Sequence, residues 1–168
     1  MKKITLRLFV ALIMSTLLLS CSAEDDGIFI GSESSVVKDI TLNYSTFEYQ
    51  VLDLVNDYRE TQGLNKLPIL NLISREAKGH TDYMIETGEI NHDNFSTRSR
   101  NLIENASAKI VAENVAYGFG TAQGVVNAWI ESDGHRKNIE NNSFTDFGIS
   151  TKRDDQGRYY YTHIFIKR

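Results

Sequence analysis

The chain predicts an α+β domain, with helices laid on a small antiparallel sheet. Three observations carry that expectation. Apolar residues recur at helical spacing between residues 51 and 86. Near the end the pattern changes to two runs, 147–151 and 158–166, the second dense in Tyr, Thr, Ile and Phe. The stretch after Cys21 is long enough for one domain and too short for two of ordinary size.

The first twenty residues read as processing signal. Lys2, Lys3 and Arg7 form a positive start, and the apolar run 8–19 is shorter than the roughly 20 residues that span a bilayer. Leu18-Leu19-Ser20-Cys21 looks like a bacterial lipobox, in which the cysteine is acylated and becomes the new N-terminus. Residues 1–20 are therefore expected to be a lipoprotein signal peptide, with Cys21 lipidated; an ordinary secretory leader with an incidental cysteine is the alternative. The expected place is the bacterial cell envelope, lipid-anchored at the outer membrane or cell surface. Cys21 is the only cysteine, so an intramolecular disulfide is excluded and the core must hold unaided. Residues 21–46 open on Ser22-Ala23-Glu24-Asp25-Asp26 and carry few periodic apolar residues, which predicts a flexible acidic tether. Beyond the leader, 15 basic residues stand against 22 acidic ones, a net −7 that argues against nucleic acid as a partner and disfavours an anionic substrate.

The folded domain is expected over 47–168. Val51, Leu54, Val55 and Tyr58 form one helical stripe that stops at Gly63. After a connector at 65–68, a second helix is expected over 69–86, its buried face made by Leu72, Ile73, Ala77, Thr81 and Met84 and its end marked by Gly88. Pro68 lies where a helix start tolerates it. Residues 99–109 predict a short helix or loop, and 123–130 a helix turning Val125, Val126 and Trp129 inward. The turn chemistry of Asp154-Asp155-Gln156-Gly157 joins the two late runs into an antiparallel hairpin.

Three local phrases each carry an acid or a histidine. They are Ile90-Asn91-His92-Asp93-Asn94-Phe95, Ala112-Glu113-Asn114-Val115-Ala116, and the run from Trp129 through Gly134-His135-Arg136 to Ile139. To these add Leu54-Val55-Asn56-Asp57-Tyr58-Arg59 with Gly63-Leu64, and the closing Phe147-Gly148-Ile149 and Tyr160-Tyr161-Thr162-His163-Ile164-Phe165. Taken in this order, the phrases resemble the CAP superfamily, the grouping of cysteine-rich secretory proteins, antigen 5 and pathogenesis-related proteins, in its bacterial SCP-like branch. The resemblance covers about Phe47 to Arg168 and implies an α-β-α sandwich with the small sheet between helices. It also implies a cleft lined by two histidines and two acids, the histidines often carrying a metal. His92 and His135 match the histidines and Glu113 one acid. The second acid departs from the pattern: Ser132 stands three residues after Trp129, and Glu131 is one residue early, a shift of about 100° around a helix.

Two imidazoles and a carboxylate suit a borderline divalent cation, zinc above all, with water completing the shell. They also suit a water polarised for hydrolysis, with Glu113 and His135 as the catalytic candidates. Plainer readings stand beside these. His92 would be a surface loop residue, Glu113 a carboxylate at a helix start and His135 a capping or solvated histidine. His80 falls on a buried stripe and is set aside as core. His163 alternates with Thr162 and Ile164 on the last strand, so it is either a further cleft residue and third ligand, or a packed sheet histidine, with packing preferred. Three function classes remain: a binding module for a lipid, peptide or glycan; a metal-dependent hydrolase, such as a peptidase; and a structural envelope lipoprotein. No His-Glu-x-x-His helix, Gly-x-Ser-x-Gly elbow or free cysteine nucleophile is present, so binding ranks first and hydrolysis second.

Overall fold

The computed structural model describes residues 41–168; the leader, Cys21 and most of the expected tether lie outside the described residues. Helix α1, Thr46–Thr61, starts at a full capping box: the Ser45 hydroxyl accepts from the Glu48 backbone N–H at 3.1 Å while the Glu48 carboxylate accepts from the Ser45 N–H at 2.8 Å. Its inner face buries Val51, Leu52, Val55 and Arg59. Arg59 is buried because its guanidinium serves three backbone carbonyls, those of Asn65, Ile139 and Asn141. Helix α2, Asn71–Thr87, ends at Gly88 in the left-handed conformation that glycine adopts without strain.

Helix α3, Phe95–Ala106, is a full three-turn element and starts earlier than the short helix or loop expected over 99–109. Strand β1, Ile110–Tyr117, is followed by α4, Ala122–Glu131, and α5, Asp133–Ile139. Strands β2, Asp146–Arg153, and β3, Tyr159–Lys167, form the expected hairpin around Gly157. The sheet order is β1-β3-β2 with both pairings antiparallel, so β3 is central. Pro68 does not open α2. Its carbonyl accepts the Phe147 N–H at 3.1 Å and Ile69 bridges to Phe147, so this connector lies along the outer edge of β2, where a missing N–H costs nothing.

Alternation along β3 builds the layers. Tyr161 and Phe165 turn to one side, where they join Val51, Leu52, Val55, Val125 and Trp129 of α1 and α4. Ile164 and Ile166 turn to the other and meet Leu72, Ile73, Ala77 and Leu102 of α2 and α3. The result is an α-β-α sandwich. Sheet and α2 approach closely at Gly148, where a Cβ would stand 2.6 Å from the Ser74 backbone nitrogen. Strand β1 is an edge, and its unpaired carbonyls find side chains instead. The Trp129 indole N–H donates to Val115 O at 3.2 Å, and the Asn138 amide approaches Glu113 O at 3.4 Å.

Candidate functional site

Adjacent residues of a strand face opposite sides, and the dipeptide Glu113-Asn114 uses this to hold a histidine on each side of the edge strand. Glu113 turns toward α2 and α3. Its carboxylate is almost wholly buried and accepts from Arg98 Nε at 2.8 Å, from the second Arg98 nitrogen at 2.7 Å and from His92 Nδ1 at 2.8 Å. Burial by itself pushes the carboxyl up, but the bonds from His92 and Arg98 and the Arg98 charge outweigh it and hold the group below its ordinary range. Glu113 is therefore a carboxylate with its lone pairs engaged. It takes the proton on His92 Nδ1 as a hydrogen bond and leaves Nε2 outward on a half-exposed ring.

The loop carrying His92 is tied from several directions. His80 Nε2–H donates to the Asn91 carbonyl at 2.8 Å, and Arg98 donates to the Asp93 carbonyl at 2.6 Å. The Tyr83 hydroxyl donates to the Asp93 carboxylate at 3.0 Å, and the Phe95 N–H closes a turn on His92 O at 3.1 Å. His80 is buried beneath this loop, 3.8 Å from Glu113, and burial lowers its imidazole below the usual range. It is a support of the site rather than a surface member.

Asn114 turns to the other side and is fully buried. Its amide donates to the His135 carbonyl at 3.1 Å, and its oxygen accepts from Asn138 at 2.8 Å, which fixes the first turn of α5 against β1. The His135 imidazole is held low, chiefly by burial and further by the charge of His92. Its Nδ1 is buried without a partner. Glu131, the shifted acid, is exposed at the end of α4. Among the described residues, no group of three or more His, Cys, Asp or Glu side chains is disposed to hold a metal ion.

His163 requires a correction to its place in the cleft. Its ring is 0 % exposed and lies among Trp129, Phe147 and Phe165, with centroids 5.5, 5.3 and 4.2 Å away. Neither ring nitrogen has a partner, and burial pushes the imidazole down to about 3. The face of β3 that carries His163 packs under α1 and α4, so the ring belongs to the core. Sequence reasoning also missed Arg98 and Asn138. A lone arginine reads as a solvated charge. The cue for Arg98 was an acid inside the apolar run 110–117, since a buried carboxylate calls for a cationic partner.

A family model described as the cysteine-rich secretory protein family, CAP, matches residues 52–165. The membrane protein YlbC of Bacillus subtilis is 33% identical over 127 residues, covering 74% of this chain and 35% of that one. YkwD of the same bacterium is 35% identical over 108 residues, covering 62% and 42%. This chain thus spans well under half the length of either curated relative. Among solved structures, an outer surface protein from Borrelia burgdorferi superposes with a TM-score of 0.68 at 22% identity, covering 76% of this chain and 96% of that one. An extracellular protein containing an SCP domain from Bacillus anthracis superposes at 0.64 with 24% identity, covering 76% and 45%. These likenesses show a shared fold.

Proposed function

The chain belongs to the CAP family, and from that premise we propose that it is an envelope-anchored binding domain whose cleft, between His92 and His135, takes a divalent cation and an extracellular ligand. The observation that carries this reading is the saturation of Glu113. A carboxylate that already accepts three charge-assisted bonds is a poor general base, but it orients an imidazole well. A carboxylate on one ring nitrogen with the other nitrogen free is the arrangement that supports metal-ligating histidines. The donor set fits an open site of two nitrogens completed by water, with zinc the best suited ion. When bound, such an ion supplies Lewis acidity to a ligand oxygen. The protein's own part is to aim the rings, Glu113 holding the His92 imidazole and Asn114 the His135 backbone. The ligand class, a lipid, peptide or glycan, rests on the extracellular setting of the relatives.

Metal-dependent hydrolysis is the second reading. It is favoured by His135, whose imidazole is shifted by burial toward the neutral form that a base requires. The anchor at Cys21 is part of the proposal; among the described residues, no helix is long and apolar enough to cross a membrane.

The test is elemental analysis and zinc titration of the purified protein beside its His92→Ala and His135→Ala variants. Loss of metal from both, with thermal unfolding intact, is the expected result. Equal zinc content in all three proteins, or none under any loading condition, would refute the metal site.

A further inference from the structure

A groove lies between α2 and α3, with Arg98 in its wall, and neither His92 nor His135 lines it. Its volume is about 200 Å³, below the roughly 300–1,000 Å³ of sites for drug-sized ligands and suited to a single ring. Gly79 lines this groove from the interior of α2, where glycine costs about 0.5–1 kcal/mol relative to alanine. Packing does not call for it: a Cβ there would meet nothing within 4 Å. Nor does the backbone, since Gly79 is not among the glycines with positive φ. What the missing side chain leaves is open space in the groove.

The walls narrow the chemistry of an occupant. No Leu, Ile, Val or Met side chain lines the groove, so it offers nothing to a lipid tail. Its charges are already matched: Arg98 is spent on Glu113 and the Asp93 carbonyl, and Arg75 pairs with Glu76 at 3.3 Å. Glu76 also accepts from Asn101 at 3.1 Å. An anion would meet only Arg75, half exposed and already beside Glu76, since Arg98 is engaged, and a metal only one carboxylate, already paired. What the groove does offer is neutral polarity. Asn94 caps α3 without a side-chain bond. Thr97 lines the groove beside it. His80 lies beneath the groove floor with its Nδ1 buried, so it shapes the groove without offering an occupant a reachable acceptor. The Tyr83 ring, backed by the buried His80 ring 5.9 Å away and 16° from parallel, provides an apolar wall.

We propose that the α2–α3 groove binds one uncharged, polyhydroxylated ring, a hexose unit of a glycan. Hydroxyl groups would serve the open acceptors and donors, and a ring face would lie along the Tyr83 wall. The groove is a separate opening from the proposed metal cleft, lined by neither His92 nor His135, though Arg98 and His80 support both.

The experiment is a titration of glucose and N-acetylglucosamine into the full ¹⁵N-labelled chain, followed by amide shifts, with acetate and inorganic phosphate as controls. The expected result is saturable shifts clustered on Gly79, His80 and Thr97 from at least one of the sugars and none there from the anions. Gly79→Leu, which fills the groove with a better helix former, should weaken that binding at least tenfold while keeping or raising the thermal midpoint. Thr97→Ala should weaken it without loss of fold. Absence of saturable sugar shifts in the groove, equal binding by Gly79→Leu, or shifts produced there by the anions would overturn the proposal.

Discussion

Replacing His163 with leucine isolates one buried imidazole whose contribution can be worked through. The ring's neighbours, Trp129 on α4, Phe147 on β2 and Phe165 on β3, carry no charge and make no bond to it. Burial alone lowers it from 6.5 to about 3. The sign follows from proton binding. The unfolded chain takes up a proton near pH 6.5 and the folded chain refuses it until about pH 3, so the folded state is unpenalised above 6.5 and loses stability as pH falls through that window. The slope is about 1.4 kcal/mol per pH unit, which makes a loss of about 2 kcal/mol near pH 5, a large part of a typical 5–15 kcal/mol. Leucine is similar in volume, has no proton to bind and removes two unpartnered nitrogens. His163→Leu should therefore match or exceed the wild type in urea unfolding near neutral pH and gain about 2 kcal/mol on it near pH 5. A stability difference that stays constant between those two pH values would refute the reasoning, because it would mean that His163 does not titrate on unfolding.

The other expectations rest on separate contacts. Arg98→Met leaves the Glu113 carboxylate buried with only His92 for a partner, and should cost about 3–5 kcal/mol by chemical denaturation; adding Glu113→Gln should recover much of that loss, and equal stability of the single and double variants would contradict the pairing. Gly148→Ala drives a methyl to within 2.6 Å of Ser74 and 2.8 Å of Ile73 Cβ, so a loss of about 1–3 kcal/mol is expected, read as a fall in the thermal midpoint. His163→Gln should leave zinc affinity unchanged while altering stability, since the ring lies in the core. Cys21→Ser should release the protein from the membrane fraction with the domain's circular dichroism unchanged; a variant that still sediments with membranes would exclude the lipid anchor.

The helices that carry a one-sided stripe, the late hairpin and the family were all legible in the linear chain. Those are local signals: an apolar period on α1 and α2, a glycine stop at Gly88, turn residues before Gly157, and short phrases in a fixed order. Strand β1 escaped notice for a physical reason. It is covered on both faces, and Glu113 and Asn114 interrupt its apolar run, so the period-2 alternation of a half-buried strand is missing. His92, Glu113 and His135 stood out as residues of interest through the family phrases, but their relation did not. It took the folded arrangement to establish that Glu113 is engaged by Arg98, fifteen residues earlier, that Asn114 holds the His135 backbone from the opposite face, and that His163 lies in the core. Hydrogen bonds between distant segments depend on which face of β1 meets which helix, and that is set by the joint packing of α2, α3, α4 and α5 on the sheet, which no local window of residues contains.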